Sequence, residues 1–125
     1  MKKSMLGVVI GLACTAVSFG QSSIQNHDWK GFLGGEVNDT LTWHMGTDSS
    51  FVTNSHGDVM VKSKITVTGD KITITDYDGQ YACTEATGSY TFTVTGNSMS
   101  LKKIEDGCEG RAQAIDGLQW TAANK

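Results

Sequence analysis

The chain contains no proline, so none of its strand-like segments is demoted to an edge on that ground. It has no basic surplus either. Ten Lys and Arg stand against thirteen Asp and Glu, for a net charge of −3. The basic residues are scattered, with no stripe to neutralise phosphates, which argues against a nucleic-acid partner. No second long apolar run follows the first twenty residues, so the mature chain offers no helical membrane span. Catalytic and metal-binding signatures are missing as well. There is no His-x-x-x-His or Cys-x-x-Cys spacing, and no Gly-x-Ser-x-Gly elbow. No Gly-Lys-Ser/Thr follows Gly34-Gly35 to make a phosphate loop. The reading is therefore of a protein that is not an enzyme and holds no metal or cofactor.

What is present is a doubled hairpin. Residues 65–74 read Ile-Thr-Val-Thr-Gly-Asp-Lys-Ile-Thr-Ile, and residues 92–101 read Phe-Thr-Val-Thr-Gly-Asn-Ser-Met-Ser-Leu. A two-residue loop with Gly first suits a type II′ turn, whose twist matches the flanking strands. With Gly69-Asp70 as the turn, Val67 faces Ile72 and Ile65 faces Ile74. With Gly96-Asn97 as the turn, Val94 faces Met99 and Phe92 faces Leu101. Each apolar residue meets an apolar partner on one face, with Thr and Ser on the other.

The N-terminus reads as an export signal. Lys2 and Lys3 precede an apolar stretch from Met5 to Phe19, and Ser18 and Gly20 supply small residues before Gln21. Residues 1–20 are assigned to this signal and 21–125 to one domain of about 105 residues. Cys14 follows Leu12-Ala13 in the manner of a bacterial lipoprotein site, but Gly11 stands where such a site has Leu. Soluble secretion or a periplasmic location is favoured over a lipid anchor through Cys14. Three cysteines occur in all, so the mature chain keeps Cys83 and Cys108, and an exported domain with two cysteines most simply joins them.

Period two continues elsewhere. Trp29 to Val37 opens the fold, with Gly31, Gly34 and Gly35 suggesting a bend or bulge. Leu41, Trp43 and Met45 alternate with polar residues, and Phe51 to Thr53 makes a short strand. Val59, Val61, Ile65 and Val67 share a face with Ser63 between them. Tyr81 to Thr84 reads as another short strand, Gly110 to Asp116 as one or two helical turns, and Leu118 to Trp120 as the last strand. About eight short strands at this spacing predict an all-β fold. Consecutive hairpins predict a small antiparallel up-and-down meander barrel, with one short helical turn near the C-terminus.

On these residues the chain resembles the lipocalin-like (calycin) superfamily in its small secreted bacterial form. Asp28-Trp29-Lys30-Gly31 is similar to the Gly-x-Trp opening of that family, with His27 where the family has Gly. The Thr-Gly-Asp-x-Ile-Thr hairpins and the close, Cys108-Glu109-Gly110-Arg111-Ala112 followed by Leu118-Gln119-Trp120, are similar too. The resemblance implies that Arg111 packs over Trp29 and closes one barrel mouth, with Trp120 as a further structural residue.

Two groups of polar residues are read as solvating. His27, His44 and His56 lack the converging partners a metal needs, and His44 falls on the outer face of its strand. Asp76, Asp78 and Glu85 read as acids of a turn rather than an acid–base pair. The inward face is the better candidate site: Trp43, Met45, Phe51, Ser63, Tyr90 and Phe92, with Tyr81 also turned inward. That set suits a hydrophobic pocket with polar handles, and equally a filled core, because a barrel of about eight strands is just wide enough for side chains to fill. The leading functional expectation is an exported binding module for a small hydrophobic ligand. The alternatives are a protein-interaction module, such as an inhibitor of a secreted hydrolase acting through loops 54–58 and 76–80, or a structural envelope protein.

Overall fold

The computed structural model of the protein describes residues 23–123. The signal segment 1–20 and Cys14 lie outside them. Eight antiparallel strands follow one another in a closed barrel: β1 (His27–Leu33), β2 (Asp39–Met45), β3 (Ser49–Thr53), β4 (Val59–Thr68), β5 (Lys71–Asp78), β6 (Thr87–Thr95), β7 (Ser98–Asp106) and β8 (Gln119–Ala122). One helix, α1 (Glu109–Ile115), interrupts the meander between β7 and β8. Closure is made by β1 pairing with β8, Trp29 opposite Ala122 and Lys30 opposite Thr121. This is the up-and-down barrel that the alternation predicts.

Both hairpin registers agree with the sequence reading. Val67 faces Ile72 and Ile65 faces Ile74, while Val94 faces Met99 and Phe92 faces Leu101. Gly69 and Gly96 have φ of 62° and 61°, and neither Asp70 nor Asn97 has a positive φ. That combination is the type II′ turn. Two other expectations change. Gly31 marks no bulge, since β1 and β2 pair without a shift. Its missing side chain makes room for Trp120, whose ring a Cβ there would meet at 2.9 Å. The register shifts fall instead at Val52/Thr53, Lys62/Ser63 and Ser89/Tyr90. Tyr81 to Thr84 forms no strand, because Tyr81 N–H donates to the Met60 carbonyl and Ala82 N–H to the Gly79 carbonyl, within a turn.

The barrel has two unlike ends. At the end where β1 begins, the chain before it folds over the opening. Ile24 is fully buried, and its carbonyl accepts a hydrogen bond from Trp29 Nε1 at 3.1 Å. Trp29, Met45, Ile72, Phe92 and Met99 are buried with it in one continuous core. At the other end lie the 34–38 turn, the 79–86 loop and α1. The Cys83–Cys108 disulfide, with Cα atoms 6.1 Å apart, ties that loop to the start of α1, where the Cys108 sulfur also caps the helix by accepting from Arg111 N–H. Among the described residues no helix is long and apolar enough to cross a membrane.

Candidate functional site

Inward positions at the second end are small or polar rather than large. Gly31 is pressed on Trp120, Gly88 lies against the Asp106 carboxylate, and Ser63 and Asp76 occupy positions where Ile65 and Ile74 sit one step further in. Trp120 and Asp106 take up the room at the two glycines, and Ser63 and Asp76 line a cavity of about 800 Å³. Trp43 and Trp120 lie in its wall, with ring centroids 5.2 Å apart and a tilt of 59°. Leu41, Val52, Met60, Val61 and Ile74 add apolar wall. Residues 34–37 of the β1–β2 turn, Tyr81 and the α1 residues Gly110, Gln113 and Ala114 also line it.

Of the six residues predicted to meet a ligand, Trp43 and Ser63 line this cavity. Met45, Tyr90 and Phe92 point inward and are buried, but they are not part of its lining. Phe51 is a correction. It is 39% exposed because β3 pairs with β2 in a register that sets Phe51 opposite His44 and Ser50 opposite Met45. Ser50 therefore points in, and its hydroxyl accepts from Trp43 Nε1 at 3.0 Å. Phe51 stacks on His44 outside, with centroids 4.4 Å apart. Tyr81, expected inside, is largely exposed at the rim. The inferred contact of Arg111 with Trp29 is also corrected. Trp29 bonds to Ile24 at the plugged end, whereas Arg111 bonds to Asp106 and Ala86 at the cavity end. The cause is local. Arg111 sits on a helix that follows β7, so it returns to the end where β7 finishes, opposite the end where β1 starts.

Arg111 organises a buried polar cluster in the cavity wall. Its Nε and one terminal nitrogen grip both oxygens of Asp106, at 2.8 and 2.7 Å, and the same terminal nitrogen donates to the Ala86 carbonyl at 2.7 Å. Its other terminal nitrogen, Nη1, lies 3.2 Å from Asp76 Oδ2. Asp76 is 4% exposed and accepts from Ser63 Oγ at 2.7 Å and from Cys83 N–H at 2.8 Å. Asp106 accepts further from Tyr90 Oη and from Cys108 N–H. Burial alone would raise the Asp106 carboxyl, but the bonds from Arg111, Tyr90 and Cys108 outweigh it and hold the group below the usual carboxylate range. Burial, then the bond to Asp106, pushes the Tyr90 phenol far above its ordinary value. Burial would lower Arg111, yet Asp106 and Asp76 raise it, so it stays charged.

The reading of Asp76 as a solvating turn acid is thus overturned. The signal was in the sequence. The register that sets Val67 against Ile72 and Ile65 against Ile74 continues to Ser63 against Asp76, and alternation puts Asp76 on the inner face with Ile72 and Ile74. Two buried N–H donors in this region have no hydrogen-bond acceptor among the described residues: Arg111 Nη1 and Trp120 Nε1. No group of three or more His, Cys, Asp or Glu is placed to hold a metal among the described residues. No protein-family model, curated protein or solved structure matches the chain.

Proposed function

We propose that this protein is an exported binding module of lipocalin-like design that carries a small, mainly apolar ligand in the cavity at one end of its barrel, and that it is not an enzyme. One observation carries the reading. A cavity of about 800 Å³ falls within the range of small-molecule sites, roughly 300–1,000 Å³. It also combines apolar walls with one localised polar cluster, as such sites do. The buried Arg111–Asp106 pair is a structural brace in this reading, since every oxygen of Asp106 is already bonded. The Cys83–Cys108 disulfide supports an oxidising, exported setting.

A second reading, a protein-interaction module, is favoured by a different observation. Phe32, Val59, Tyr77, Tyr81 and Ile104 are all between 44% and 58% exposed, and all lie toward the cavity end. Exposed large apolar side chains gathered toward one end of a barrel suit contact with a partner. Native mass spectrometry of the protein purified from its own host separates the two. The ligand reading predicts a retained mass of a few hundred daltons, released on unfolding. A bare chain, or a stoichiometric protein partner with no small molecule, would count against it.

A further inference from the structure

We infer that the ligand is an electrically neutral lipophile bearing a hydrogen-bond acceptor, such as a ketone, ester or alcohol, and that its acceptor is held by Trp120 Nε1. This rests on the ligand-holding reading above and narrows it to a chemical class. Two independent features of the cavity wall lead to it.

The first is the hydrogen-bond inventory. Asp76 already accepts from Ser63 and Cys83, and Asp106 from Tyr90, Cys108 and Arg111. The carboxylates therefore have little left to offer a donor on a ligand. What remains unused is donor capacity. Trp120 is 3% exposed and lines the cavity, and its Nε1 has no acceptor among the described residues; Arg111 Nη1 is held by its ion pair with Asp76 at 3.2 Å without a well-aligned hydrogen bond. The contrast with Trp43 is instructive, because its Nε1 is satisfied by Ser50. Trp120 Nε1 is covered, so pairing requires a local adjustment as the ligand seats. Leaving a buried donor unpaired is costly, and that cost favours the adjustment.

The second feature is charge. One guanidinium faces two carboxylates, Asp76 and Asp106, and the lining adds a further carboxylate, Glu36, at the rim. A carboxylate or phosphate head would enter a site that already carries excess negative charge, at low dielectric, where like charges repel strongly. The donor asks for an acceptor and the field rejects an anion, which leaves the neutral acceptor.

The test is competition against an environment-sensitive apolar dye, using the full oxidised protein and three probes of equal chain length at pH 7: 2-nonanone, nonane and nonanoate. Wild type is compared with Trp120→Phe, which removes the Nε1 donor and keeps an aromatic wall. One neutral hydrogen bond is worth about three- to tenfold in affinity. The expected result is that Trp120→Phe weakens 2-nonanone by that factor relative to nonane, and that nonanoate binds wild type at least tenfold more weakly than the ketone. A second readout does not depend on the variant folding. The Trp120 indole N–H resonance of the wild type moves downfield with 2-nonanone and not with nonane. An unchanged ketone-to-nonane ratio, an unmoved resonance, or nonanoate as the tightest probe overturns the inference and leaves the ligand reading standing. Failure of the dye and every probe to bind overturns both.

Discussion

Asp106 shows how a single side chain organises the cavity end. Its side chain is fully covered and takes bonds from the helix, from β6 and from the backbone beside the disulfide. Its carboxyl titrates below the ordinary value in the folded protein. Such a group adds stability that is present above its unfolded value, about pH 4, and that is lost as the pH falls through the lower folded value. Replacing it with Asn removes this component. The thermal midpoint of Asp106→Asn should therefore start below that of wild type at pH 7 and decline less between about pH 5 and pH 2. Parallel curves, measured by circular dichroism in the same buffers, would show that the group does not titrate as described. Residues of this kind were only partly legible in the sequence. Ser63 was identified as an inward polar position, and its partner Asp76 was obtainable by carrying the hairpin register two residues further. Asp106 and Arg111 were not obtainable in their true roles. Their pairing depends on where α1 returns the chain, which no local pattern encodes.

At the scale of elements, the hairpins were the most legible part. Two-residue turns fix register, and register fixes faces. Where loops are longer the reading weakened. The Gly46–Asp48 connection does not specify its register, so alternation alone puts Phe51 on the wrong face. Pairing with β2 sets it opposite His44, and a slip of one residue inverts every side chain on a strand. Helix α1 was read to within one residue, but its place beside the cavity was not. The disulfide fastens that helix to the 79–86 loop, and removing a native bridge from a small domain costs about 2–5 kcal/mol. Cys83→Ser/Cys108→Ser should lower the denaturant unfolding free energy by that amount. Serine retains the helix cap at position 108, so the loss reports the cross-link. A loss under about 1 kcal/mol would mean that the loop and α1 are held without it.

The whole molecule is a barrel that is full at one end and hollow at the other. Strand number alone leaves this open, since eight strands can enclose either a packed core or one small ligand. The outcome is decided by residue size at a few inward positions. Ile24, Trp29, Met45, Phe92 and Met99 fill the first end, while Ser63 and Asp76 leave room at the second, where Gly31 and Gly88 admit the Trp120 ring and the Asp106 carboxylate. Alternation marks an aromatic interior but does not apportion it between core and cavity, because the two ends are distinguished only after the strands are aligned. The central claim is that this space binds. Ala114, half-buried on α1, lines the cavity without a polar role, so Ala114→Phe fills space from the rim and leaves the Arg111 cluster intact. Fluorescence titration of an environment-sensitive apolar dye measures the consequence directly. Wild type should bind one equivalent saturably, and Ala114→Phe, with an unfolding midpoint near that of wild type, should bind at least tenfold more weakly. Equal binding by the two proteins, or none by wild type, would contradict the account.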